Sequence, residues 1–327
     1  GLVAARHQNN PGLAALQRVA RIGEPTNTFH LGFLIGPRIN AGGRIGDAAL
    51  GARLLAETDP VVAREIAEQL DRLNQERQAM ERSMLEEARA EAEAELAHGR
   101  GPAVFLTEST SWHPGIVGLI ASRLKEQLRR PVFAIAFNAN GEGTGSGRSI
   151  AGFDLGRLVR DAADRGLIVK GGGHAMAAGI TVKRAKLGAL RTFFEEQAAE
   201  AVFRLREEQA LKIDAALAAD GATLELLDVL ERAGPYGTGH PQPVFVLPRH
   251  QVTDVRPVGQ GHLRIALRSG SGGRLQAMAF RSADTDLGRF LLASRGRLIH
   301  AAGSLSANYW NGTKSAQFRL SDAAAAD

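Results

Sequence analysis

The chain contains no cysteine in 327 residues. That excludes disulfides, thiolate nucleophiles and zinc sites built on Cys, and it fits a reducing compartment, so a cytoplasmic protein is expected. No apolar run approaches the roughly 18 residues needed to span a bilayer, so no membrane partner is expected. Aromatic residues are scarce at 5%, which leaves few rings beside the basic residues discussed below. Rapid phosphodiester hydrolysis usually draws on metals held by Asp and His. The chain has no Asp-His-His, no His-x-x-x-His and no convincing acidic cluster. Asp284-Thr285-Asp286 lies in a polar stretch with no His beside it and reads as solvated surface. The metal-ligand set expected from the residues is therefore none.

The remaining composition is that of a globular protein, with 44% apolar and 23% charged residues. The length suggests two or three domains. A net charge of +5 favours a polyanionic partner, modestly. Gly1 stands where Met would open a complete chain, so a fragment or a processed product is expected.

Residues 1–58 read as short helices ending in a glycine-rich loop, Gly36 to Arg44, with helical pattern from about Ala48 to Glu57. Residues 60–98 carry apolar side chains at helical spacing (Ile66, Leu70, Leu73, Met80, Met84, Leu85, Ala88) behind Pro60, which suits a first turn. Such a helix would be roughly 55–60 Å long, too long for one core, and is expected to join two domains. Strands and helices then alternate: strands at 103–106, 132–137 and 179–183, helices at 116–129, 154–163 and 188–209. This predicts an α/β domain. Beyond a short helix at 223–233, six short strands (243–247, 250–257, 262–268, 274–280, 296–302, 316–320) with glycine turns predict a small β-barrel.

Four short segments carry candidate chemistry. In Lys170-Gly171-Gly172-Gly173-His174 the glycines would let backbone N–H groups approach an anion, with a tightly packed helix start behind them. His174 could donate to a phosphate oxygen or shuttle a proton. Gly145-Ser146-Gly147-Arg148-Ser149 reads as a flexible loop whose guanidinium and hydroxyls suit a terminal phosphate, at even odds with a solvated hairpin turn. Arg44, behind Asn40 as the residue shaping its loop, is a weaker phosphate candidate. Trp112 and His113 at a helix start could stack a base or bind an anion, but packing and capping are the stronger reading. On the barrel, Tyr236, His240, Arg249, Arg256, His262, Arg264, Arg268, Arg274, Arg281, Tyr309 and Trp310 fit a single-strand binder or a solvated face.

These segments occur together with Leu73-Asn74-Gln75-Glu76-Arg77-Gln78, Trp112-His113-Pro114-Gly115-Ile116-Val117-Gly118 and Gly237-Thr238-Gly239-His240-Pro241-Gln242-Pro243. In that order they resemble the RecJ family of the DHH phosphoesterase superfamily, over nearly the whole chain. The resemblance implies the end of a DHH domain (1–58), a long connecting helix (59–100), an α/β DHH-associated domain (101–210) and an OB-fold β-barrel (211–327). It implies a single-stranded-DNA-specific 5′→3′ exonuclease of repair and recombination, using Mn²⁺ or Mg²⁺ in the full-length enzyme. Those metals would be held by Asp and His residues that this chain lacks, so the chain alone is expected to be inactive. It also implies single-stranded DNA, single-strand binding protein and a RecQ-type helicase as partners. By position, Ser146, Arg148 and Ser149 would form a 5′-phosphate pocket with Arg44 as neighbour, and His174 on Gly171, Gly172 and Gly173 would face the scissile phosphate. A non-catalytic single-strand-binding module and a small-nucleotide phosphodiesterase of the same superfamily are the alternative readings.

Overall fold

Asp59 accepts the Val61 N–H through its side chain (2.7 Å) and Pro60 occupies the first turn, so the longest helix starts where the sequence says it should. The computed structural model describes every residue except Gly1, Gln8, Glu24, His98, Gln209, Thr238, Asn311, Gly312 and Asp327, and the side chains of Ala4 and Trp310. Thr238 of the 237–243 segment and the Trp310 ring therefore lie outside the description. The chain forms two compact units, Gly1–Gln209 and Ala210–Asp327.

The first unit opens with α1 (Leu2–His7) and α2 (Pro11–Val19). A π-helical turn (His30–Ile35) runs directly into α3 (Gly36–Ile45), and α4 (Leu50–Ala56) follows. The loop expected at Gly36–Arg44 is thus a helix. Gly36 and Gly42 answer to packing, and a Cβ on Gly36 would lie 2.9 Å from the Leu31 carbonyl oxygen. A Cβ on Gly42 would lie 2.6 Å from the Asp47 carbonyl oxygen, and one on Gly51 of α4 would lie 2.7 Å from Ile39 Cγ2. Asn40 consequently shapes no loop and sits exposed on α3.

Helix α5 (Pro60–Leu96) is 37 residues long, and its buried stripe serves two cores in turn. Ala63, Ile66, Ala67 and Leu70 pack with Leu16, Ile35, Leu50 and Leu54. Met84, Ala88 and Ala92 pack beneath a sheet with α6. The helix is a wall shared by both cores.

That sheet has the order β1-β2-β3-β5-β4, with β1 (Phe105–Ser109) and β2 (Val132–Phe137) parallel and the other pairings antiparallel. The β1–α6–β2 crossover uses α6 (Val117–Leu128). Strand β2 is apolar throughout because both its faces are covered. Val132, Ala134 and Ala136 meet α5 and α6. Phe133, Ile135 and Phe137 meet α7 (Leu155–Asp164) and α8 (Leu187–Glu207).

The two segments expected to be phosphate loops are strands. Residues Glu142–Arg148 form β3, and Lys170–His174 form β4, which turns back into β5 (Ala177–Lys183) where a helix start was expected. In β3 the glycines alternate on the inner face. A Cβ on Gly143, Gly145 or Gly147 would lie 2.4–2.7 Å from Ile135, Ile180 or Phe133. Glycine there makes room for the large side chains of β2 and β5, a period-two packing pattern that reads as flexibility when the partners are unknown.

The second unit is a barrel in which β7 (Phe245–Val258), β8 (His262–Arg268), β9 (Arg274–Ala279), β11 (Thr313–Ala325) and β10 (Leu298–Trp310) follow in order, and β10 closes on β7. A two-residue strand, β6 (Ala215–Ala216), adds to β7. Two expected strands, 243–247 and 250–257, are one bent strand, and the last two are longer than their apolar cores indicate. Helices α9 (Leu224–Ala233) and α10 (Asp286–Ala293) are capped by the Thr223 and Thr285 hydroxyls. Leu263, Ile265, Leu267, Ala277 and Phe318 fill the interior.

Candidate nucleic-acid interface

With Gly143, Gly145 and Gly147 turned inward, Thr144, Ser146 and Arg148 are turned to the opposite face of β3. Arg148 is paired with Ala177 of β5, and Ala177 with His174 of β4. The next row on the same face is Ser146, Gly179 and Gly172. Directly paired residues share a face. At about 4.8 Å per strand, the backbones of Arg148 and His174 are therefore roughly 10 Å apart with side chains on one side. Between them the floor is nearly bare: nothing lies within 4 Å of a Cβ placed on Gly172, and the nearest atom to one on Gly179 is the Gly145 carbonyl oxygen at 4.0 Å.

His174 is exposed at the end of the edge strand β4. Its Nδ1 accepts the Met176 N–H (3.4 Å), which leaves Nε2 as the outward nitrogen carrying the proton. The turn it sits on is held from two sides: Ser149 N–H donates to the Met176 carbonyl (3.0 Å) and Leu155 N–H to the Ala175 carbonyl (3.1 Å). Gly156 lets α7 close on this turn, since its Cβ would lie 3.0 Å from His174 Cα. Gly171 and Gly173 face inward. A Cβ on Gly171 would meet Val159 Cγ1 at 2.7 Å, and one on Gly173 would meet the Ala177 carbonyl oxygen at 2.3 Å. Of the three glycines only Gly172 faces the open floor.

At the other end of the row, Arg148 Nη1 donates to Ser146 Oγ (2.9 Å) and to the Gly147 carbonyl (2.8 Å). Both side chains lie against the first turn of α6, 3.0 and 3.1 Å from where a Cβ on Gly118 would sit. Helix α6 has no side-chain cap, so the free N–H groups of its start add to the positive end of its dipole there. Arg44, from the end of α3, donates to the Gly115 carbonyl (3.2 Å) in the turn that enters α6. Gly115 permits this approach, because its Cβ would overlap the Arg44 carbonyl. Neither Arg44 nor Arg148 has an ion-pair partner among the described residues. Burial, then repulsion by Arg44, pushes the Arg148 guanidinium below its ordinary value. Burial, then repulsion by Arg77, does the same to Arg44, against an opposing pull from Glu81. Two half-buried guanidiniums beside a helix start have the chemistry that an anion would satisfy.

Ser149, expected in the phosphate pocket, does other work, and Trp112 and His113 do the packing and capping that their sequence context favoured. Ser149 is buried, and its hydroxyl donates to the Phe153 carbonyl (2.8 Å), so it holds the turn after β3 and offers no phosphate contact. Trp112 is buried, with its indole N–H donating to Glu87 (2.7 Å), which leaves no face for a base. His113 Nδ1 accepts the Gly115 N–H (3.1 Å) and shapes the entry to α6. Gly118 was missed: its signal is a small residue on a first helical turn, legible only once Arg148 is known to face it. Among the described residues no three His, Cys, Asp or Glu side chains are placed to hold a metal ion, and no helix is long and apolar enough to cross a membrane.

On the barrel, Arg268 and Arg274 are direct cross-strand partners, as are Arg256 and Arg264. Only Arg256 of these four has a carboxylate partner, Asp254 at 2.6 Å. Like charges opposed on a sheet are unfavourable unless something negative lies over them. Tyr236 and His240 stack on each other at 5.0 Å and bond back to the Leu230 and Ala233 carbonyls. Tyr309 is exposed on β10.

Residues 101–200 match the DHHA1 domain family and residues 213–322 the RecJ OB domain family. The chain is 37% identical over 319 residues to a protein of Dickeya dadantii named single-stranded-DNA-specific exonuclease RecJ, covering 95% of this chain and 54% of that protein. It is 31% identical over 335 residues to the Bacillus subtilis protein of the same name, covering 41% of it. A crystal structure of RecJ from Thermus thermophilus in complex with Mn²⁺ superposes with a TM-score of 0.78 at 29% identity, over 99% of this chain and 45% of that one. A Mg²⁺ complex from the same organism gives 0.76. The chain spans about half the length of the curated relatives it matches.

Proposed function

Because this chain belongs to the RecJ family and carries its DHHA1 and OB domains, we propose that it supplies the substrate grip of a single-stranded-DNA-specific 5′→3′ exonuclease. The observation that carries this reading is the row Arg148–Ala177–His174 with its bare glycine floor. Ser146, Arg148 and Arg44 would bind the 5′-terminal phosphate, where two unpaired guanidiniums and a helix start converge. A nucleotide laid along the floor would then bring its next phosphate towards His174. Nε2–H would donate to an oxygen of that phosphate and hold it in register with the terminal one. A 5′ end anchored a fixed distance from the reacting bond gives the polarity, and a floor one residue deep suits a single strand.

The relatives whose structures hold Mg²⁺ or Mn²⁺ make a divalent ion part of this proposal. The described residues offer no donor set that fits such an ion, so no step is assigned to it here. The small-nucleotide phosphodiesterase reading finds no support, since the barrel matches the RecJ OB family. Single-strand binding protein and a RecQ-type helicase are partners carried by the family reading alone.

The reading is tested with a 3′-labelled, 5′-phosphorylated single strand incubated with this chain, with and without Mn²⁺. Salt-sensitive binding without trimming is expected. Failure to bind the strand at low salt would contradict it.

A further inference from the structure

Along the buried stripe of α5, Leu70 is followed by Asn74 and Arg77 before apolar residues resume at Met84. Asn74 is 2% exposed and Arg77 8%. With Glu81 they stand at i, i+3 and i+7, on one face of the helix. Arg77 Nη2 donates to Asn74 Oδ1 (3.0 Å), and Nη1 donates to Glu81 Oε2. The other oxygen of Glu81, Oε1, accepts from Arg123 Nε of α6 (3.4 Å). Arg77 Nε is buried without a hydrogen-bond partner. A buried ion pair adds little to stability and an unbonded buried N–H subtracts from it, so stability alone gives no reason for this network.

The polar break lies where the end of α3 and the entry to α6 reach α5. A Cβ on Gly46, two residues past Arg44, would lie 3.0 Å from Leu73 Cδ1. Ile45 packs on the cluster that holds Met84 and Ile116. Arg44 is thereby held beside the stretch of α5 between Leu73 and Met84. In that stretch Arg77 and Glu81 are turned inward, whereas Glu76 and Arg82 are exposed. Arg77 repels the Arg44 guanidinium and Glu81 attracts it. Glu81 is thus the carboxylate placed to neutralise Arg44, but Arg77 and Arg123 already occupy its two oxygens. Arg44 bonds instead to the Gly115 carbonyl.

We propose that Arg77 is a positioning residue for the 5′-phosphate site: it holds Glu81 away from Arg44 and so keeps Arg44 a cation without an acid partner. This role rests on the reading that Ser146, Arg148 and Arg44 bind the 5′-terminal phosphate. A guanidinium paired with a carboxylate has its donor edge filled and its charge cancelled, and it offers little to a phosphate. Asn74 sets the direction of the Arg77 fork, since its carbonyl takes Nη2 and thereby aims Nη1 at Glu81. Arg77 is buried and reaches no phosphate itself. With Arg77 removed, Glu81 keeps Arg123 on one oxygen and has the other free for Arg44.

The test is fluorescence anisotropy with the full chain and one labelled single strand bearing either a 5′-phosphate or a 5′-hydroxyl, read as the ratio of the two affinities. Arg77→Met is expected to lower that ratio about tenfold, as for the loss of one charge-assisted contact. Arg77→Met with Glu81→Gln should restore it, because the competing carboxylate is gone. Glu81→Gln alone should raise the ratio above that of the wild type. A network that only braces α5 against α6 predicts the reverse, a loss from Glu81→Gln and no rescue in the double variant. Either of those results would overturn the role of Arg77 and leave the 5′-phosphate reading standing, as would an unchanged ratio in Arg77→Met. Glu81→Gln preserves the side-chain shape and carries the test alone if Arg77→Met does not fold. A wild-type chain that does not distinguish the two ends would overturn the 5′-phosphate reading, and the role of Arg77 with it.

Discussion

Arg148 and His174 are joined through one residue: Ala177 of β5 pairs with Arg148 of β3 on one side and with His174 of β4 on the other. Their separation is thus set by two strand-to-strand spacings, and neither can move without breaking the ladder that fixes the other. A fixed separation of this kind is what the proposed anchoring of a 5′ end would require. The residues between them, Gly172 and Gly179, carry no side chain to interrupt it.

The bareness of that floor is testable apart from the fold. Gly172→Val places methyls where a Cβ meets nothing within 4 Å, so stability by urea denaturation should change by no more than about 0.5 kcal/mol. Single-strand affinity should nevertheless fall severalfold. Unchanged affinity would mean that the strand does not cross Gly172.

Gly147→Ala is the contrasting case. Its Cβ would lie 2.4 Å from Phe133 Cε1 and 2.8 Å from Leu155 Cδ2, inside the core. Overpacking of this kind costs about 1–3 kcal/mol, read as a lower urea midpoint at unchanged slope. A neutral result would show that Phe133 has room to retreat.

Trp112→Phe keeps the packing and deletes the bond to Glu87. The expected cost is about 1–2 kcal/mol of stability, with single-strand affinity unchanged. A loss of affinity in a stably folded variant would show that Trp112 contacts DNA.

Glu91 provides a pH signature. Burial raises its carboxyl above the ordinary value, against the lowering effects of the Thr107 hydroxyl and Arg191. A folded value above the unfolded one means that the native state binds more protons between the two. Its contribution is therefore full below about pH 4.5 and is lost as pH rises through the folded value. Denaturation midpoints of wild type and Glu91→Gln should diverge upward from that pH, the variant losing less. Parallel curves would show that Glu91 titrates as a free carboxylate.

Much of this architecture was legible in the residues. Pro60 marks the first turn of α5, and the apolar run 132–137 announces a strand, whereas the Asp59 cap and the covering of both strand faces come from the structure. The candidate site was legible as a set of residue types but not as a shape. Gly145-Ser146-Gly147-Arg148 and Gly171-Gly172-Gly173-His174 both look like loops, because glycine permits any conformation and says nothing of what lies beside it. Only Phe133, Ile135 and Ile180, distant in sequence, reveal that the β3 glycines are inward packing positions. The same distance effect hid the role of Ser149, whose hydroxyl is committed to the Phe153 carbonyl, whereas packing was already the stronger reading for Trp112. Along Arg274–Phe280 the inward set is Leu275, Ala277 and Ala279, so period-two alternation turns Phe280 outward with Gln276 and Met278.

The most direct test of the central claim compares 5′-phosphorylated and 5′-hydroxyl forms of one single strand, binding to the wild-type chain and to Ser146→Ala with Arg148→Ala. The wild type should prefer the phosphorylated end by roughly ten- to a hundredfold, as expected for losing one charge-assisted contact set of about 1.5–3 kcal/mol. The double variant should bind both ends equally, at the affinity of the wild type for the hydroxyl end. A preference that survives the double substitution would contradict the assignment of the 5′-phosphate to Arg148 and its row.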